Sequence, residues 1–252
     1  MTVPFENDTG NIVRKLARKS LKSEKRRNLM VVIAVALASC LICFSIVMAL
    51  STRQIEKNHV EDTYEAVYTR ITEEDVSTLK GLDDFSRVGE YYMLAVEPAE
   101  QGYNASYIYC DEETMYIARD QMRLLEGRLP QKEDEVVVSR YFLSNYGADA
   151  GIGEKVMLSS ESFHGEYTVT GIMEGYKEKE VNGTSILLSK EALKGWSGYD
   201  PADYRAYVHF KNEQQMDETE LTARSREIAK EYQLEMPIMN LSYMKFYKQP
   251  VN

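Results

Sequence analysis

The chain has 252 residues, 44% of them hydrophobic, and a formal net charge of −10. That composition supports a sizeable core and excludes a disordered chain. The charge is unevenly placed: residues 1–28 hold eight Lys or Arg against Glu6, Asp8 and Glu24, a net +5, so the remainder carries −15.

In chain order, the first element is a basic segment, residues 1–28. Ile12, Val13, Leu16, Ala17 and Leu21 recur at helical spacing between cations. This pattern fits either an amphipathic helix on a membrane surface or a plain orientation signal. Residues 29–50 form an uncharged run of 22 residues, Leu29 to Leu50. As a helix it measures about 33 Å, enough to cross the hydrocarbon core. A cleaved secretory signal competes, but its apolar part is about 7–15 residues long and its leader is shorter than 28 residues. The spanning reading is therefore preferred. Eight cations precede the run, while Arg53 and Lys57 are the nearest that follow. The positive-inside rule then puts the N-terminus in the cytoplasm and the C-terminal part outside the cell membrane.

Residues 51–62 have no Gly or Pro and read as a helical stalk. From residue 63 to 245 the pattern is α+β, a two-lobed extracytoplasmic domain. An alternating run at Tyr64 to Arg70 precedes Thr72, a helix cap with Asp75 three residues on and Ile71 stapling Val76. The device returns after the strand Thr184 to Leu188, with Ser189 as cap. A strand at Tyr204 to Phe210 is followed by Asp217, a cap with Glu220, and a helix with Leu221, Ile228, Ala229 and Tyr232 on one face. Between these lie strand signals at Ala105 to Cys110, Glu135 to Ser139, Lys155 to Ser159 and Glu166 to Met173, punctuated by glycines. The expectation is an αβ lobe built from both ends of the domain, with a β-rich lobe inserted. Residues 246–252 are a tail.

Few residues invite chemistry. His59, His164 and His209 lack ligand spacing, and no nucleophile elbow or P-loop occurs. Gly151 and Gly153 read as a tight turn. The clusters Asp111 to Glu113 and Glu133 to Glu135 read as solvated surface, lacking the central glycine of a calcium loop. Cys110 reads as a small buried hydrophobe, and the 18 tyrosines, all after Leu50, as strand packing. No catalytic, cofactor-binding or metal-ligating residue is assigned, the protein is not expected to be an enzyme, and no cofactor or nucleic-acid partner is expected.

Four pieces in order complete the pattern: the basic lead-in LARKSLKSEKRRN before the apolar run; Glu126-Gly127-Arg128-Leu129-Pro130 followed by Asp134 to Ser139; Gly151 to Val156; and Tyr167 to Ile172. Together they resemble the N-terminal part of a MacB/FtsX-like ABC transporter permease, its first membrane helix plus extracytoplasmic core domain. The resemblance covers about residues 12–245. It implies a separate cytoplasmic ABC-type ATPase that moves the external domain to handle lipid, lipoprotein or peptide substrates or to signal outside. It also implies a second permease half or homodimer, contact with membrane lipid, and further membrane helices, so the chain reads as part of a longer permease. The alternative reading is a single-span, membrane-anchored extracellular binding or sensor domain without an ATPase; an anchored hydrolase ranks third.

Overall fold

The computed structural model describes residues 9–23, 25–99, 102–119, 121–145, 150–175, 178 and 182–248. Two helices open the chain, α1 (Gly10–Ser23) and α2 (Lys25–Val60). The basic segment is thus helical over most of its length. The span and stalk, read separately from the sequence, are one 36-residue helix. Every residue from Leu29 to Leu50 is exposed, as expected of a helix whose solvent is lipid. The hydroxyls of Ser39 and Ser45 donate to Val35 O at 2.9 Å and Leu41 O at 2.8 Å, which satisfies them within the helix.

The chain divides into two compact units, residues 1–56 and 57–252, so the last turn of α2 belongs to the second unit. That unit contains β1 (Ala66–Ile71), α3 (Glu73–Lys80), β2 (Phe85–Pro98), β3 (Asn104–Cys110), α4 (Glu112–Ile117), β4 (Met122–Gly127) and β5 (Glu135–Ser139). It continues with α5 (Arg140–Asn145), β6 (Lys155–Ser159), β7 (His164–Gly175), β8 (Gly183–Leu188), α6 (Lys190–Gly195), β9 (Tyr204–Phe210), α7 (Glu218–Glu231) and β10 (Ile238–Met239). A helical turn at Leu241–Tyr243 then widens into Met244–Lys248.

The ten strands form one sheet in the order β10-β1-β9-β2-β3-β8-β5-β7-β4. β6 joins β7 through residues 164–168, and β4 joins it through 171–175. The strands from the two ends of the domain, β1, β2, β9 and β10, make one half of the sheet, and β3 to β8 make the inserted half. The α+β class therefore holds, with its two lobes fused through the antiparallel β2–β3 ladder.

Alternation along the strands feeds two cores. Tyr92, Tyr107, Val136, Val138, Ile186, Leu188, Ala206 and Val208 pack on one face, under Val76 and Leu79 of α3 and Leu221 and Ile228 of α7. Their neighbours Tyr91, Ile108, Val137, Leu187 and Tyr207 pack on the other with Met115 and Ile117 of α4. A one-residue slip of any strand would exchange the two cores, which fixes register strongly. The helix starts are set as the caps predict: Thr72 with Asp75, and Asp217 with Glu220, form reciprocal capping boxes, and Ser189 accepts from Ala192 N.

Glycine is required at one close approach. Gly127 ends β4 with φ +83°, opposite Gly171 of β7, and a Cβ there would meet Thr170 O at 2.2 Å. Its position lets two strands touch backbone to backbone beside the register shift between Val136 and Val137.

Candidate coupling junction

The second unit begins where α2 ends, and three separated stretches of chain meet there. Val60 is the last helical residue, and Asp62 takes a left-handed φ of +51° that stops the helix. The Val60 carbonyl accepts from Thr63 Oγ1 at 2.9 Å and from Thr63 N at 3.3 Å. The Arg119 guanidinium donates to the Glu61 carbonyl and lies 3.6 Å from the Asp62 carboxylate. A cation thus sits at the negative end of the helix dipole.

Glu65 follows, fully buried. Its carboxylate accepts from Phe210 N at 2.8 Å and from His209 Nδ1 at 2.7 Å, and Nδ1 also lies 3.1 Å from Thr63 O. Flanked by two acceptors, Nδ1 carries a proton. Burial pushes the Glu65 carboxyl up from its ordinary range, against the pull of His209 and the Phe210 amide. Burial pulls the His209 imidazole down, but the bond and charge of Glu65 outweigh it and the net direction is up.

The third stretch is the end of the domain. Asn240 N donates to Glu65 O at 2.8 Å, Asn240 Nδ2 donates to Tyr64 O at 3.0 Å, and Asn240 Oδ1 accepts from Tyr243 N at 3.2 Å, capping the final turn. Tyr243 and Tyr247 stack with centroids 5.1 Å apart. Tyr247 OH donates to Lys57 O at 3.4 Å, and Lys57 Nζ lies 5.2 Å from the Tyr247 ring. Lys248 pairs with Glu213 on the segment after β9. Residues 57–65, 209–213 and 240–248 are therefore bound into one polar and aromatic knot.

A second polar cluster lies between α3, β2, α4 and α6. Lys190 Nζ contacts Glu73 Oε1 and Glu90 Oε1, each at 2.6 Å, and Lys80 Nζ lies 2.9 Å from Asp111 Oδ2 and 3.7 Å from Glu90 Oε2. The bonds from Lys190 and Lys194 hold the Glu73 carboxyl below its usual range. The cluster is a brace across elements of both halves of the sheet.

The acidic runs need correction. Asp111 caps α4, Glu113 pairs with Arg87 at 2.8 Å, and Glu135, read as solvated, is buried. Arg128 grips Glu135 with two bonds of 2.7 and 2.8 Å, which with the Gln131 amide bring its carboxyl down to about 2. Cys110 is buried, as read, and burial pushes its thiol up. The tyrosines pack: Tyr68, Tyr92, Tyr103, Tyr107 and Tyr204 are among the largest fully buried side chains. Among the described residues no group of three or more His, Cys, Asp or Glu is placed to hold a metal ion. His209 takes part in the knot, and His164 lies at the exposed start of β7.

A family model of the MacB-like periplasmic core domain matches residues 29–226. No curated protein sequence matches the chain. Among solved structures, the periplasmic region of MacB from Actinobacillus actinomycetemcomitans superposes with a TM-score of 0.52 at 9% identity, over 73% of this chain and 91% of that one. The extracellular domain of the noncanonic ABC-type transporter YknZ from Gram-positive bacteria is similar at 15% identity and a TM-score of 0.49, over 71% of this chain and all of that one. At 9% identity the MacB region speaks for the fold alone, a mixed sheet with its helices, and the matched sequence carries the rest: an apolar helix running into such a domain, from Leu29 to Arg226, places this chain in the family of MacB-like periplasmic core domains of ABC transporter permeases.

Proposed function

We propose that this chain is the N-terminal part of a permease subunit whose external domain is moved by a separate cytoplasmic ABC-type ATPase. The observation that carries the reading is the knot at the end of α2, where the start and end of the domain are tied to the last helical turn at Lys57 and Val60. A displacement of the helix reaches β1, β9 and β10 together through Glu65, His209 and Asn240. The reading includes a cytoplasmic N-terminus, an extracytoplasmic unit after Ser51, a second permease half or homodimer, and lipid, lipoprotein or peptide substrates or an outward signal. It names no catalytic residue.

The test is affinity purification of the full-length native protein in mild detergent. Recovery of a P-loop ATPase supports the reading. Repeated absence, under conditions that keep other transporters intact, overturns it in favour of an anchored sensor domain. External protease on intact cells is expected to digest the region after Ser51; protection of that region reverses the orientation.

A further inference from the structure

Helix α1 has two contrasting faces. It carries Arg14, Lys15, Arg18, Lys19 and Lys22 with no acidic residue between Gly10 and Ser23. At 100° per residue, all five cations fall on one arc of about 140°, and Ile12, Val13, Leu16, Ala17 and Ser20 fall on the opposite arc of about 140°. No cation interrupts the apolar arc. Ile12, Val13 and Leu16 are exposed at 59%, 61% and 63%. A single residue separates α1 from α2, and Lys25, Arg26 and Arg27 add three cations before the apolar run begins at Leu29.

We infer that α1 binds the surface of an anionic phospholipid bilayer, and that binding needs negatively charged lipid. The apolar arc enters the boundary between headgroups and acyl chains. Arg14 and Lys19 lie at the two edges of the cation arc and extend along the surface to lipid phosphates. The occupant follows from charge and continuity. A cation arc with no acid among residues 10–23 fits a surface of fixed negative charge, and the tether to a spanning helix holds α1 near the bilayer. The inference rests on the reading of α2 as a membrane span and extends it to the lipid that α1 selects.

The full chain is placed in nanodiscs of phosphatidylcholine alone or with 30% phosphatidylglycerol, about that fraction being needed for a surface potential of tens of millivolts. Amide hydrogen exchange over α1 is the readout. Slower exchange in the anionic discs, reversed at about 0.5 M salt where screening falls to a few ångströms, is the expected result. The double substitution Arg14→Gln and Lys19→Gln should lower that protection about thirtyfold, at about fivefold per cation. Lys132→Gln with Arg226→Gln, which removes two cations from the second unit, should leave it unchanged. Equal exchange in both lipids, or protection that appears only when an ATPase is added, overturns the inference while leaving the span intact. A chain that does not enter the discs overturns the span reading and this one with it.

Discussion

Gly127 shows how one missing methyl group decides a strand pairing. Two costs meet there, a left-handed φ of +83° and a Cβ position 2.2 Å from Thr170 O. Gly153 has only the first, since φ is +89° and nothing lies within 4 Å of its Cβ position. Gly153→Ala should therefore lower stability by about 1 kcal/mol and Gly127→Ala by about 2–4 kcal/mol, read as shifts in urea midpoint at constant slope; equal shifts would remove the steric argument. His209 gives a pH dependence. Its folded pKa is raised above the ordinary 6.5, so the stability it contributes is full below 6.5 and is lost as pH rises through the folded value. The Glu65 carboxyl is raised by burial and acts in the same sense. Unfolding midpoints should fall on going from pH 6 to pH 8, with the slope flattened in His209→Gln; a midpoint that rises over that interval contradicts the assignment. Glu135 runs the other way: its stability is present above the ordinary 4.5 and is lost as pH falls towards 2.

At the scale of elements, capping is the cleanest contribution. Thr72→Ala and Asp217→Ala each remove a side chain that accepts an N3 amide, and each should cost about 1 kcal/mol in equilibrium unfolding. No loss in either would show that α3 and α7 are held by packing alone. These helices were legible in the sequence because a cap and its reciprocal acid lie three residues apart, with a hydrophobic staple beside the cap of α3. Strands β5, β6 and β9 were legible as short β-branched or aromatic runs between turn residues. The long central strand β2 was not. Its run from Val88 to Tyr92 is buried on both faces, Tyr91 in one core and Tyr92 in the other, so polar alternation is missing, and Gly89 and Glu90 break the apolar run. Gly89 is there because α4 crosses it: a Cβ would meet Thr114 Oγ1 at 2.4 Å. Strand β4 was hidden for a different reason, because most of its residues are partly or fully exposed and carry little hydrophobic signal.

For the whole molecule, the order of basic segment, apolar run and αβ domain was readable end to end, but the knot was not. Glu65 and His209 are 144 residues apart, and no local spacing announces that they bond. Only a lone acid just before one strand and a histidine in another hinted at a buried pair. Asn240→Ala should loosen the knot without unfolding the sheet: hydrogen exchange should quicken across residues 63–65 and 240–248 and stay unchanged in β5, β7 and β8. A uniform rise would mean that Asn240 supports the whole domain. The placement of β1 has a mechanical consequence. Tension along this strand is borne by a lap joint: five residue pairs to β9 on one side and two to β10 on the other share the load at once. Bonds loaded in shear fail together or hold together, so a pull along β1 would load the sheet as one piece, whereas peeling would open it one bond at a time.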